Sequence, residues 1–210
     1  SLNVTPTAGK TVGFNSSANG LEATISGGSM TFIKKLTASS SSTLSFVDGS
    51  SDVVLDNTYK EYIFVFNNIH PGSADSYFSV NFRDGGSNYD ATKTTVNFRA
   101  QHGEDDSGAS LDYQTGNDLA QSTSDQRLSE PTGNQDADKN LGGYLHLFNP
   151  SSTTFVKHFM ARTSNLDMSN YNTSTFVAGY CTATTAIDGV QFKYSSGNID
   201  SGTITLYGIN

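Results

Sequence analysis

The chain predicts an all-β protein: an antiparallel β-sandwich, jelly-roll-like, with an extended N-terminal arm. Three observations lead there. No segment of the 210 residues sustains the 3.6-residue apolar period of an amphipathic helix. Short runs instead alternate apolar and polar residues with a period of two, as a strand with one buried face requires. Gly, Asn and Pro separate these runs at regular intervals and supply the turns of a sandwich or jelly roll.

Residues 1–29 form a compositional zone of their own, read as an N-terminal arm or anchoring segment ahead of a body over residues 30–210. Leu2, Val4, Val12, Phe14, Leu21 and Ile25 are spread thinly among Gly, Ser, Asn and Thr. They are too few to build a core and too many for a plain disordered tail. Two short strands are expected, from Lys10 to Asn15 and from Leu21 to Ser26, with Ser26-Gly-Gly-Ser29 as the hinge. An arm docked on a neighbouring subunit and an edge hairpin of the same domain fit equally well. The opening Ser1-Leu-Asn-Val-Thr-Pro6 has neither a basic nor an apolar region, so no secretory signal is expected in it.

The body opens with two short strands, Met30 to Leu36 and Thr43 to Val47, around a polyserine turn. Tyr59 to His70 follows. Tyr62, Phe64 and Phe66 fall on one face and Ile63 and Val65 on the other, which predicts a central strand covered on both sides. Tyr77 to Arg83 alternates with Phe78, Val80 and Phe82 inward, and Asp84-Gly-Gly-Ser87 is a tight turn. Thr94 to His102 reads as strand or short helix. Residues 103–141 have the weakest pattern. Short strands are expected at Ser110 to Tyr113 and at Leu119-Ala-Gln121, between exposed acidic turns. The sheet resumes at Gly143 to Phe148, then at a long strand from Thr153 to Arg162. Thr175 to Cys181, Val190 to Tyr194 and Thr203 to Tyr207 complete the set, the last read as closing the chain without a regulatory tail.

Composition narrows the function classes. The 13 Phe and 10 Tyr suffice for a core without Trp. Charged residues are only 15%, against roughly 25% in globular proteins, and hydroxyl and amide groups supply the polarity instead. A net charge of −8 repels phosphate backbones and anionic lipid, so neither nucleic acid nor a membrane is expected as a partner. No run approaches the roughly 18 apolar residues of a membrane helix. The single cysteine, Cys181, lies in a strand-like run and is expected to be a buried structural thiol.

Chemical motifs are few. Asp136-Ala-Asp138-Lys-Asn140 starts like a calcium loop, but Leu141 replaces the required Gly and Leu147 the required Glu. An irregular calcium site on Asp136 and Asp138, or on Glu104, Asp105 and Asp106, is weighed against a solvated acidic loop, and the loop is preferred. His70, His102, His146 and His158 share no zinc-ligand spacing; His146 is expected to face water or a partner, and His158 to be half-buried and hydrogen-bonded. There is no G-x-S-x-G elbow and no phosphate-binding Gly loop before a helix. The scarce Glu leaves no evident pair of catalytic carboxylates. No enzyme activity, catalytic residue, cofactor or metal is expected.

Several stretches carry a resemblance. Ser29-Met-Thr-Phe-Ile-Lys-Lys-Leu-Thr-Ala38 leads into Ser45-Phe-Val-Asp-Gly49, followed by Tyr62-Ile-Phe-Val-Phe-Asn-Asn-Ile-His70. Later come His146-Leu-Phe-Asn-Pro-Ser151 and Phe176-Val-Ala-Gly-Tyr180, and then the closing Ser201-Gly-Thr-Ile-Thr-Leu-Tyr-Gly-Ile209. About 180 residues of the body thereby resemble β-rich virion structural proteins of tailed, marine bacteriophages, of the tail-fibre or surface-decoration type. The resemblance implies a virion protein assembled in the host cytoplasm: a tail-fibre or tail-tip component in host attachment, or alternatively a decoration protein of the head. It implies a homo-oligomer, with a trimer among the options, and contacts with other virion proteins through the arm. A host surface glycan is the expected external ligand. A jelly-roll carbohydrate-active enzyme or lectin is the further alternative, since one fold hosts many functions. Loops 84–93, 103–118 and 130–141 would form the outer surface, with Tyr89, Asp105, Tyr113, Asp136 and Asp138 as its contacts. For Tyr89 and Tyr113, ordinary loop packing is preferred over stacking on a sugar.

Overall fold

The structure is a computed structural model describing residues 11–15, 17, 19–24, 29–134 and 137–209. Its strands begin with a hairpin, β1 (Thr11–Phe14) and β2 (Leu21–Thr24), which pair with each other as a separate two-stranded sheet. Then come β3 (Met30–Thr37), β4 (Leu44–Val47), β5 (Glu61–Pro71), β6 (Phe78–Arg83), β7 (Lys93–Gly103) and β8 (Ala109–Tyr113). The second half supplies β9 (Gln126–Arg127), β10 (Leu141–Phe148), β11 (Lys157–Leu166), β12 (Tyr171–Cys181), β13 (Gly189–Tyr194) and β14 (Ile199–Ile209). Lys10, Ile25 and the Ser26-Gly-Gly28 part of the expected hinge lie outside the described residues.

The body is an antiparallel sandwich of unequal sheets. The large one has eight strands in the order β3-β14-β5-β10-β11-β12-β7-β8, the small one four in the order β4-β13-β6-β9. Eight of these strands pair as mirror images along the chain: β3 with β14, β4 with β13, β5 with β10 and β6 with β9. That nested pairing, shared between two four-stranded sheets, is the jelly roll. The remaining strands are two hairpins, β7–β8 and β11–β12, inserted on either side of β9 and β10. Both join the large sheet beyond β10 and so widen only one layer.

The jelly-roll half has an aromatic interior. Tyr62, Phe64 and Phe66 alternate inward on β5 as expected and are fully buried, facing Phe46 of β4, Phe78 of β6 and Phe192 of β13. The Phe192 ring lies 5.2–5.8 Å from those of Phe64, Phe66 and Phe78, stacked on Phe78 at 9°, and 6.4 Å from that of Phe46. Two phenols in this core find backbone acceptors: Tyr62 Oη donates to Asp56 O at 2.8 Å and Tyr194 Oη to Ile69 O at 3.2 Å. Burial raises both their pKa values.

The widened half is closed differently. The small sheet reaches β11 only at Phe82 of β6, whose ring lies 4.8 Å from that of Phe159, so the irregular chain around β9, from about residue 114 to 134, covers the rest of β11 and much of β12 and β7. Irregular chain brings backbone carbonyls that need donors. The inner face of these strands is accordingly rich in polar groups: Lys93, Thr95, Asn97, Thr163, Asn165, Thr173 and Thr175 are all buried, alongside Phe159, Ala161, Val177 and Cys181. Thr163 Oγ1 donates to Leu128 O, Asn165 Nδ2 to Thr132 Oγ1 at 3.0 Å, and Thr95 Oγ1 to Gln126 Oε1 at 2.5 Å. Arg99 and Arg127 both contact Glu130 Oε2, at 2.7 and 2.8 Å.

Three expectations are corrected. The outer side chains of β5, Ile63 and Val65, are only half-buried, because no strand of the described residues lies over them; in-plane neighbours shield them instead. The strand expected from Thr153 runs from Lys157 to Leu166, since Ser152 Oγ accepts from Thr154 N and Phe155 N and holds a turn there. Leu119-Ala-Gln121 forms no strand, although Thr95 N donates to Leu119 O at 2.8 Å. The strand-or-helix segment is strand β7, and Ser110 to Tyr113 is within β8.

Replacing Phe192 by Ala removes the ring that joins the two sheets and is expected to destabilise the fold by about 3–5 kcal/mol in urea unfolding; a loss below about 1 kcal/mol would contradict this packing. Stability should also depend on pH through Lys93, whose Nζ donates to Asn81 Oδ1 and Ala91 O at 2.7 and 2.9 Å. Burial lowers its pKa from 10.5 to about 8. Above about pH 8 the unfolded chain then holds a proton that the folded chain has lost, so stability rises with pH. Above 9 the buried Cys181 thiol, raised from 9.0 to about 12, acts in the opposite direction. The urea midpoint of the wild type should therefore increase between about pH 7.5 and 9, and Lys93→Met should flatten that slope.

Candidate interaction surface

Alternate side chains of the large sheet point away from the core, and the strand register decides which of them meet. One cross-strand row runs from Phe32 on β3 and Tyr207 on β14 to Ile63 on β5 and His146 on β10. It continues through Met160 on β11 and Ala178 on β12 to Val96 on β7. The adjoining row is Val65, Tyr144, Arg162, Phe176, Phe98 and Tyr113. Phe32, Val96, Tyr144, Met160 and Tyr113 are 45–58% exposed.

β7 and the first part of β12 are inverted relative to an ordinary sandwich, although Phe159 and Ala161 of β11 and Val177 and Cys181 of β12 still point inward. On β7 the buried inner residues are Lys93, Thr95 and Asn97, while Val96 and Phe98 face outward. On β12 Thr173 and Thr175 point inward, and Phe176, Ala178 and Tyr180 outward. A one-residue slip would reverse every one of these choices. Thr95 and Asn97 are held by hydrogen bonds to Gln126 Oε1 and Arg127 O of the covering chain, and Thr173 by bonds to Asn165 of β11, and these bonds favour the apolar neighbours outside.

This face has relief. Ala178, small among larger neighbours, floors two hollows on either side of the projecting Met160. One, of about 410 Å³, is bounded by Val96, Phe148, His158 and Tyr180. The other, of about 370 Å³, is bounded by Phe98, Tyr144, His146 and Phe176. The Phe98 and Phe176 rings stack 4.8 Å apart at 5°, and the Arg162 guanidinium sits 4.8 Å from the Phe176 centroid. Further along the strands the face turns polar, where Arg162, Ser164, Asn172 and Ser174 surround a depression of about 440 Å³. His146 packs against Phe148 at 4.2 Å between centroids, with Nε2 3.0 Å from Glu61 Oε2. His158 is exposed beside Tyr180, and no hydrogen bond of its ring is seen, in contrast to the half-buried position expected.

The residues expected as outer contacts are dispersed. Tyr113 lies on this face at the end of its row, its Oη donating to Asp118 Oδ2 at 2.8 Å. Tyr89 is half-buried in the β6–β7 loop with its ring against Gly189. Asp105 sits at the β7–β8 turn, accepting from Ser107 N at 3.0 Å; the Ser107 side chain and backbone hold its carboxyl below the ordinary range. Asp138 is exposed in the β9–β10 loop, and Asp136 lies outside the described residues. Among the described residues no three His, Cys, Asp or Glu side chains gather around one point. Cys181 is buried and held as the thiol.

Missed by sequence reasoning were Val96, Phe98, Met160, Arg162 and Phe176. The available signal was β7 itself, where the two apolar residues alternate with Thr95 and Asn97, but alternation does not say which set is inside. Also missed were the buried lysines. Lys157 Nζ donates to the carbonyl oxygens of Ser152, Phe155, Ala183 and Thr185, at 3.2, 3.3 and 2.9 Å for the first three. Its phase with Phe159 and Ala161 was the visible sign. No family model matches the chain, and no curated protein matches it significantly.

The orientation of β11 has a direct test. Met160→Lys should leave the melting temperature of the dilute protein nearly unchanged, within the roughly 0.5 kcal/mol of an ordinary surface change. Ala161→Lys, one residue along and 5% exposed, should prevent folding. Reversed effects in thermal melts, with Met160→Lys the damaging change, would mean that the strand faces the other way.

Proposed function

We propose that this chain is a structural subunit of a tailed-bacteriophage particle, a tail-fibre or tail-tip component that contributes to attachment at the host surface. The observation that carries this reading is the inverted half of the large sheet. A protein that stays free in solution gains nothing by turning Phe98, Phe176, Met160 and Val96 to water, whereas a subunit buries such a face on assembly. The jelly roll is a scaffold that virion proteins share with lectins, and the sequence resemblance given above favours the virion. In this reading the protein folds in the host cytoplasm and joins the particle, residues 1–29 contact other virion proteins, and the loops at the ends of the sandwich face the host glycan.

Immunogold labelling of purified particles, with the copy number measured against a known head protein, tests it. Label at the tail and tens of copies are expected, together with loss of adsorption when soluble protein is added to host cells first. Label over the whole head at hundreds of copies would replace this function by head decoration. Absence from the particle, or release of reducing sugar from host polysaccharide, would overturn the reading.

A further inference from the structure

We infer that a second copy of this chain packs against the outer face of β10, β11, β12 and β7, with Met160 of each copy seated in a hollow of the other. This deepens the reading of the chain as an assembly subunit and rests on it for its biological setting, but four features of the face identify the occupant.

The first is extent. At about 4.8 Å between strands and about 6.8 Å between residues on one face, the two rows and their flanking residues cover on the order of 600 Å² in projection. That reaches the upper end of the roughly 300–600 Å² of the largest patch on a typical monomer and approaches the roughly 800 Å² that each partner contributes to a stable interface.

The second is charge. The chain carries 20 Asp and Glu against 12 Lys and Arg, yet Arg162 is the one charged residue in the two rows. Two copies of an acidic protein can meet here because the acid nearest the rows, Glu61, is at their edge and paired with His146.

The third is relief. An isologous interface needs a surface complementary to itself. Here a half-exposed Met160 stands directly beside hollows floored by Ala178, knob and socket on one patch.

The fourth is the chemistry of the centre. Met160, Ala178 and Val96 offer a sugar hydroxyl no hydrogen bond, so a glycan there would be desolvated without return. The outer strands of this sheet are also guarded against lateral strand addition, by Lys34 and Lys35 on β3 and by Asp112 on β8. Contact through the face is the route left.

Sedimentation velocity on the full chain across about 1–100 µM tests the inference by mass action. The expected result is a species of twice 22.4 kDa whose fraction grows with concentration. Met160→Arg should raise the dissociation constant by roughly thirtyfold or more, as the loss of a central interface residue does. Val96→Lys, at a neighbouring outward position, should act in the same direction, and circular dichroism melts show that each variant is folded. A chain that stays monomeric throughout, or folded variants that associate as the wild type does, would overturn the inference. The two readings fail separately. A monomer that is nevertheless found in particles sinks the face-to-face pairing alone, whereas a dimer absent from particles sinks the virion assignment alone.

Discussion

An eight-stranded sheet laid against a four-stranded one leaves part of its inner surface without a β partner, and much of the rest of the molecule follows from that mismatch. A second sheet would present side chains from satisfied strands, so the interior between could be apolar. Irregular chain presents backbone groups instead, and each must be paired or lose free energy of about 1–3 kcal/mol. The protein meets this requirement by placing donors on the inner face of the widening strands and in the loops that close it. Lys157 serves four carbonyl groups, Lys139 reaches Asp167 O at 2.8 Å together with the Asn170 side chain, and Lys93 ties Ala91 O to Asn81. Three ammonium groups are thereby buried by the demands of the backbone, with no carboxylate among these contacts.

The polar filling has a cost on the opposite side of the sheet. A strand has two faces, and strands rich in Val, Phe and Thr need their apolar residues somewhere. Once Thr95 and Asn97 are committed to the covering chain, and Thr173 to Asn165 beneath it, Val96, Phe98, Phe176 and Ala178 are left outward. The apolar outer face is therefore a consequence of how the inner face is closed. It runs across the strands of the two inserted hairpins and onto Tyr144, Tyr207 and Phe32 of the jelly-roll half, whose inner aromatic residues gather around Phe192. The candidate interaction surface sits on strands rather than loops, which fixes its geometry firmly.

Much of the fold was legible in advance because it depends on local chemistry. The alternation of Tyr62, Phe64 and Phe66, and that of Phe78, Val80 and Phe82, named the inner faces of β5 and β6 correctly, since those strands meet another sheet and follow the ordinary rule. The turn at Asp84-Gly-Gly could be read for the same reason. Thr153 to Arg162 misled because Phe155 and Val156 suggested an early start, whereas Ser152 holds that segment as a turn. The acidic and tyrosyl candidates of the loops did not converge. Asp105 is occupied in its own turn, Tyr89 packs on Gly189, and only Tyr113 reaches the interaction surface.

The sequence by itself determined that the chain is all-β, where most strands lie, and which residues alternate. Those properties come from period, propensity and turn chemistry within a few neighbours. Which of two alternating sets turns inward on β7, β11 and β12 was decided only in three dimensions. The phase of a strand depends on what lies above it, and that covering segment comes from a distant part of the chain and carries unpaired carbonyl groups. The outward turn of Met160, Val96 and Phe98, and with it the candidate surface, belongs to that tertiary choice.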